Sequence, residues 1–190
     1  MTTTYYSTKE MADKIGIPLD TLRRRAVRQE CPVPDVRIGA EPRQASGDRY
    51  VLGWSHARVI AFGQLCKTVD ADGRTIPYAQ PRRIAESAYP DWWWVTTAVY
   101  LSSTDITLLW GRTYNAVQVR RTRGSMCPPD VHVGPQGRAG SPGWSLDTIR
   151  EYSAREGIQM ADTWEIARHA RLYRTSIEEA TVALTPGGVV

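Results

Sequence analysis

Apolar residues recur at helical spacing in short blocks that glycine, proline and polar loops separate. In the first block the apolar side of a helix lies within residues 11–15, Gly16 ends that helix, and a second helix follows over about residues 19–29. Alternation over residues 36–38 then predicts a strand, and a polar loop with a return strand completes a hairpin. A serine at position 55 begins a third helix. The predicted order is helix, tight turn, helix, hairpin, helix.

The same pattern occurs a second time in the chain. A shift of 95 positions aligns residues 5–39 with 100–134 and gives nine identities over 35 positions, where unrelated sequences of ordinary composition give about two. The nine are Tyr5, Ser7, Gly16, Arg25, Arg28, Pro34, Asp35, Val36 and Gly39. The second copy then loses five residues in its loop, after which Gly53-Trp54-Ser55 aligns with Gly143-Trp144-Ser145. A repeat of this length indicates one structural unit used twice.

Helix starts are marked in both copies. Ser7 with Glu10, and Ser102 with Asp105, have the spacing of a capping box, in which hydroxyl and carboxylate each satisfy a backbone N–H group. Before the third helix, Trp54 with Val59 and Trp144 with Ile149 have the spacing of a hydrophobic staple. We therefore expect each tryptophan to close its hairpin onto the third helix.

The second helix of the first copy presents a basic outer side. When Leu22 is placed at the centre of the buried side, Leu19 and Ala26 lie near it. The residues predicted to face outward are Asp20, Thr21, Arg24, Val27 and Arg28, with Arg23 and Arg25 at the flanks. A DNA major groove admits an α-helix, and arginine can grip guanine with two hydrogen bonds. A solvated charged face is the alternative. Two short helices joined by a glycine turn form a helix-turn-helix, and this context favours DNA contact over that alternative.

The second copy presents a less charged side in the same place. Its outer residues are Asn115, Ala116, Val119, Thr122 and Arg123, flanked by Gln118 and Arg120. Asparagine and glutamine pair with adenine. The arginines common to both copies, Arg25/Arg120 and Arg28/Arg123, are predicted phosphate contacts, whereas positions that differ are predicted to select bases. Loop arginines Arg43, Arg49 and Arg138 are predicted either to reach a phosphate or minor groove, or to remain free in solvent.

These motifs resemble a known superfamily. The run Ser7-Thr8-Lys9-Glu10-Met11-Ala12, then Gly16-Ile17, Thr21-Leu22, Cys31-Pro32-Val33-Pro34-Asp35 and Gly53-Trp54, is similar to MerR/excisionase-type winged helix-turn-helix proteins, chiefly the small versions of actinobacteria, phages and plasmids. The resemblance covers roughly residues 5–65 and 100–157. It implies site-specific binding of double-stranded DNA, by transcription regulators or by factors that shape DNA for recombination or partition. Pro18 departs from the usual Ser or Thr cap, which Thr113 fits, and proline is tolerated in a first helical turn.

We therefore predict an α+β fold, mainly α with small β-hairpin wings, built of tandem winged helix-turn-helix modules and a C-terminal helix. The expected boundaries are 1–65 for the first module, 66–99 for a connector, 100–157 for the second module, and 158–190 for an amphipathic helix and tail. In the connector we expect a short helix over residues 82–88. The cluster Trp92-Trp93-Trp94 is expected to pin the connector to the second module, or the modules to each other, with stacking on a flipped or single-stranded base as the less favoured alternative. An apolar stripe over residues 162–184 is expected to pack on that module or to mediate self-association.

Composition narrows the function. The chain has 190 residues and a formal net charge of +4, which permits an anionic partner. Three widely spaced cysteines indicate reduced thiols in a cytoplasm, and no membrane span or secretion signal is expected. No catalytic, nucleotide-binding or metal motif is present, so neither an enzyme nor a cofactor is predicted.

The predicted function is that of a cytoplasmic, nucleoid-associated transcription regulator reading a bipartite, asymmetric DNA site. Two alternatives stay open. One is a DNA-architectural factor, either excisionase-type or a phage or plasmid centromere binder. The other is a protein-interaction module without DNA affinity.

Overall fold

The computed structural model describes residues 2–39, 51–95, 98–135 and 140–161. Over these ranges the protein is an α+β fold with six α-helices and two small three-stranded sheets, which confirms the predicted class. The loop residues Arg43, Arg49 and Arg138, and the predicted helix within 162–184, lie outside the described residues.

The elements of the two copies follow the same order. The first repeat, residues 3–65, contains β1 (Thr3–Tyr5), α1 (Thr8–Ile15), α2 (Leu19–Val27), β2 (Val36–Ile38), β3 (Val51–Gly53) and α3 (His56–Leu65). The second repeat, residues 98–155, contains β4 (Ala98–Tyr100), α4 (Ser103–Leu109), α5 (Tyr114–Thr122), β5 (Val131–Val133), β6 (Ser141–Gly143) and α6 (Leu146–Arg155). The strands β1 and β4 were not predicted.

Both predicted capping boxes are present. Glu10 N–H donates to Ser7 Oγ (3.3 Å) and Ser7 N–H donates to the Glu10 carboxylate (2.8 Å); Ser102 and Asp105 repeat this pattern at 3.2 and 2.8 Å. Gly16 ends α1 in the left-handed region, with φ of 68°, where a residue without Cβ costs least. These contacts fix where the first helix of each repeat begins and where α1 ends.

Each repeat has its own core, and a tryptophan holds the same place in both. Trp54 and Trp144 are almost fully buried among the helices. Trp54 Nε1 donates to the Pro32 carbonyl and Trp144 Nε1 to the Cys127 carbonyl, both at 3.1 Å. Because the two acceptors are equivalent positions, the same anchor joins the end of the hairpin to the loop after the second helix in both repeats.

The repeated Pro-Asp-Val sequence has a structural role. Asp35 accepts a hydrogen bond from Ser55 N–H (2.8 Å), and Asp130 accepts one from Ser145 N–H (2.7 Å). Both carboxylates therefore lie at the start of a third helix, where negative charge is favourable. Asp35 also pairs with Arg58 at 3.3 Å.

The connector differs from its prediction. In place of one helix over residues 82–88 it forms two short 3-10 helices, Glu86–Ala88 and Asp91–Trp94. Residues 81 and 82 are not helical. Their carbonyls accept hydrogen bonds from Arg25, and Arg82 N–H donates to the Cys66 carbonyl. Pro90 further disfavours helix at the residue before it.

Trp93 of the tryptophan cluster has a structural role, but the predicted partner was wrong. Trp93 is 0% exposed and belongs to the core of the first repeat, not the second. Its ring stacks on Tyr89 with centroids 4.3 Å apart and meets the edge of Phe62 at 5.7 Å. The connector is therefore packed onto the first repeat.

The two repeats exchange strands. β1, at the start of the first repeat, pairs in parallel with β5 of the second, and β4 pairs in parallel with β2 of the first. The sheet orders are β1-β5-β6 and β3-β2-β4. The registers are equivalent, since Thr3 lies opposite Val131 and Ala98 opposite Val36. Each sheet therefore contains strands from both halves of the chain.

A third apolar cluster joins the two sheets. Val36 and Ile38 pack with Val131 and Val133, all almost fully buried. Gly53 and its equivalent border this contact: a Cβ on Gly53 would lie 2.6 Å from Val133 Cγ2, and one on Gly143 would lie 2.9 Å from Ile38 Cγ1. The two sheets therefore approach each other closely, and residues of both repeats contribute to this cluster.

Candidate nucleic-acid interface

The helix α2 turns its predicted outer residues toward solvent. Leu22 is fully buried in the first core. The exposed residues are Asp20, Arg23, Arg24 and Arg28, and Thr21 is half-buried. Ala26, which was expected near the core, is exposed, and Val27 beside it is 85% exposed. The last turn of α2 therefore exposes Arg24 to solvent, and the residue that caps it, Arg28, is exposed as well.

One ion pair lies on this surface. Arg23 and Asp20 are 3.5 Å apart across one turn, and both side chains are largely exposed. An exposed pair of this kind contributes at most about 1 kcal/mol. Arg23 therefore stays available to a stronger anionic partner such as a phosphate.

The helix α5 presents the equivalent surface of the second repeat. Val117 is buried as predicted. Asn115, Val119 and Arg123 are exposed, and Gln118 is half-buried. Thr113 caps this helix by accepting a hydrogen bond from Ala116 N–H at 3.4 Å.

An exposed aromatic residue at the start of α5 was not predicted. Tyr114 is 53% exposed and occupies the position of half-buried Leu19 in the first repeat. Tyrosine hydroxyls are among the groups that bind DNA phosphates. An unmatched aromatic residue at an otherwise apolar position of the repeat was the sequence signal that could have found it.

Arg25 and Arg120 have internal partners that the sequence did not predict. The Arg25 guanidinium donates to Cys66 Sγ (3.1 Å) and to the carbonyls of Pro81 (3.3 Å) and Arg82 (3.0 Å). Arg120 donates to the Tyr152 hydroxyl at 3.4 Å, and that hydroxyl donates to the Ser125 carbonyl. Each arginine thus ties the second helix of its repeat to the third helix or the segment after it, and positions the outer surface.

Arg28 and Arg123 differ from that pair. Each is the C-terminal cap residue of its helix, and each is exposed. Within the described ranges neither guanidinium forms an ion pair with a carboxylate. A positive charge at a helix C-terminus is also favourable in itself, so this position suits the helix whether or not an anion binds.

The three cysteine thiols have low reactivity. Burial raises the pKa of Cys31 to about 12. Burial also raises the pKa of Cys66 and of Cys127 to about 11, although Arg25 opposes the shift at Cys66. Since thiolate is the form that attacks and binds metals, these thiols are poor nucleophiles and poor metal ligands at neutral pH.

Two further features bear on function classes. In the part of the chain that the structure covers, no group of three or more His, Cys, Asp or Glu side chains is arranged to hold a metal ion. The same residues include no helix with the length and apolar character needed to cross a membrane.

Taken together, the geometry is a pair of equivalent helices with outward polar and basic residues, each fastened to its repeat by an inward arginine. Residues that were predicted to contact DNA divide into exposed ones, Arg28 among them, and internally bonded ones, Arg25 among them. Comparison with protein-family models, with curated proteins and with solved structures gives no significant match to this chain.

Proposed function

We propose that the protein is a sequence-specific double-stranded DNA-binding protein, acting as a transcription regulator, in which two winged helix-turn-helix modules use α2 and α5 as recognition helices. One observation carries the proposal: at equivalent places both helices expose their polar and basic residues, including Arg28 and Arg123, while an inward arginine fixes their orientation.

The dimensions and chemistry suit a duplex. Each of the two helices has nine residues, and a helix of that size fits a major groove. The hairpins β2–β3 and β5–β6 take the place of wings. Arg23 and Arg24 suit guanine, whereas Asn115 and Gln118 suit adenine, so the two helices would read different bases.

The character of the surface favours DNA over a protein partner. The centre of a protein–protein interface is typically depleted in charged residues. Arginines instead dominate the outer side of α2. Among the described residues of this helix, Val27 is the one large apolar side chain that is highly exposed. Such a surface fits a polyanion better than an apolar patch on another protein.

The test is a salt series with matched variants. Binding of the full chain to duplexes selected from a random pool is measured by fluorescence anisotropy between low and moderate salt. We expect Arg28→Ala and Arg123→Ala each to weaken binding to all sequences and to reduce the slope of log K against log salt by about one unit. The reason is that a protein with one phosphate contact fewer releases fewer counterions when it binds.

The control is Arg74→Ala, which removes the same charge from an exposed connector residue far in sequence from both helices. It should leave the slope close to wild type. Absence of salt-sensitive binding to any duplex would overturn the proposed function. Binding that persists with an unchanged slope in Arg28→Ala and Arg123→Ala would show that the helices do not dock as proposed.

A further inference from the structure

We infer that one chain binds an inverted DNA repeat with two unlike halves, because the strand exchange relates the two recognition helices by an approximate two-fold axis. This inference rests on the proposed DNA binding and adds the form of the site to it.

The symmetry follows from reciprocal contacts. Thr3 N–H donates to the Asp130 carbonyl at 3.0 Å, and the equivalent Ala98 N–H donates to the Asp35 carbonyl at 3.1 Å. At the other end of the strands, Gly134 N–H donates to the Tyr5 carbonyl (3.0 Å) and Gly39 N–H to the Tyr100 carbonyl (2.9 Å). Each of these backbone hydrogen bonds between the repeats thus has a counterpart in the opposite direction. Such an isologous contact is the mark of a two-fold relation and not of a head-to-tail one.

The relation is fixed and does not depend on a flexible linker. Each sheet contains a strand of the other repeat, and the sheets pack through the buried Val36, Ile38, Val131 and Val133. The connector is itself packed against the first core through Trp93. The two repeats therefore cannot reorient freely to suit direct and inverted sites alike.

The form of the site follows from this geometry. A rotation that carries the first repeat onto the second also carries the half-site of the first onto that of the second. When both helices dock on one duplex, a two-fold rotation makes the half-sites run in opposite directions, as they do under a symmetric dimer. The halves need not be alike here, since Asp20 and Arg24 are replaced by Asn115 and Val119.

The experiment uses the two half-sites that a random-pool selection identifies. They are placed in convergent, divergent and both direct orders at a series of spacings, and the affinity of the full chain is measured for each. We expect one of the two inverted orders to bind at least about tenfold tighter than either direct order, because only there can both helices engage at once and gain from effective concentration. Native mass spectrometry should show one chain per duplex.

A grafted variant tests the unlike halves. Asn115→Asp, Ala116→Thr, Gln118→Arg and Val119→Arg together transfer the outer residues of α2 to α5 and leave buried Val117 in place. This variant should prefer an inverted site with two identical halves. Circular dichroism and the melting temperature establish that it is folded before its site preference is compared with wild type.

The outcomes separate the two proposals. A preference for a direct order, or equal affinity for a single half-site and the full site, would overturn the inference and leave DNA binding intact. One chain bridging two duplexes would also overturn it, and would favour the architectural alternative. Failure to bind any duplex would overturn the proposed function itself.

Discussion

The strand exchange predicts that a substitution at one end of the chain loosens the opposite repeat. Thr3 lies in the first half of the sequence, yet its N–H donates to Asp130 of the second repeat. Thr3→Pro removes that donor. We expect it to destabilise the sheet around β5, while the equivalent Ala98→Pro, which removes the donor to Asp35, destabilises the sheet around β2.

The magnitude follows from one lost backbone hydrogen bond in a short edge strand. Such a bond contributes about 0.5–1.5 kcal/mol, and an acceptor left without a partner adds to the loss. A total of about 1–2 kcal/mol lowers the melting temperature of a chain of this size by roughly 2–8 °C. The same loss raises the equilibrium population of the locally open state by about 5- to 30-fold.

Hydrogen–deuterium exchange resolves where the loosening occurs. Thr3→Pro should accelerate exchange first at residues 131–134, and Ala98→Pro first at residues 36–39. Thr4→Pro is the matched control. Thr3 and Tyr5 hydrogen-bond the second repeat through their backbone groups, and Thr4, which lies between them, directs its backbone groups to the opposite side of the strand. If Thr3→Pro accelerates hydrogen exchange only within residues 7–65, the pairing of β1 with the second repeat is refuted.

Two further variants test the packing. Gly53→Ala and Gly143→Ala should each lower the free energy of unfolding by about 1–3 kcal/mol by overpacking the contact between the sheets. The loss should be larger in Gly53→Ala, because its added Cβ would lie 2.6 Å from Val133, against 2.9 Å from Ile38 for Gly143→Ala. Chemical denaturation measures these losses, and wild-type stability in both variants would contradict the close approach. Trp54→Ala and Trp144→Ala should each lower folding stability by about 3–5 kcal/mol, because the tryptophans are core residues and not proposed DNA contacts. Variants that keep the wild-type melting temperature but lose DNA binding would show instead that the tryptophans contact DNA.

Sequence patterns predicted the local structure well, because the causes are local. A capping box needs only residues three apart, as Ser7 and Glu10 show, and a positive φ needs only a glycine such as Gly16. The alternation at residues 36–38 and 131–133 predicted β2 and β5 for the same reason. The order from α1 to α3, and from α4 to α6, could therefore be derived without the structure, whereas β1, β4 and the connector helices could not.

The strand exchange could not be derived in this way. β1 and β5 are 128 positions apart at their first residues, Thr3 and Val131, and pairing over such a separation is not encoded in spacing. The β-branched and aromatic residues around Thr3 and Val99 indicate extended structure, but they do not identify the partner. The error over the tryptophan cluster has the same origin, since Trp93 packs on residues that precede it by a long stretch of chain.

The candidate site was predicted in part. The helical wheel placed Arg24, Arg28 and Asn115 correctly on the exposed side, because Leu22 and Val117 are buried. It could not separate Arg25 from Arg28, since both are long basic side chains near the edge of the same surface. That distinction depends on the carbonyls of Pro81 and Arg82, which the connector brings to Arg25.

Most residues that the two repeats share have a structural role, so a shared residue that is exposed is informative. Ser7 and Asp35 hold helix starts, Gly16 and Gly39 have positive φ, and Arg25 bonds internally. Tyr5 and Val36 lie in the exchanged sheets. Of the shared residues that have a side chain beyond Cα, only Arg28 is exposed, and so is its counterpart Arg123. An exposed residue that both repeats share suits a contact that would be the same at both proposed half-sites. The sugar–phosphate backbone is the part of DNA that does not vary with sequence. Bases differ between half-sites, and so do Asp20 and Asn115, which is the division that a single chain reading two unlike halves requires.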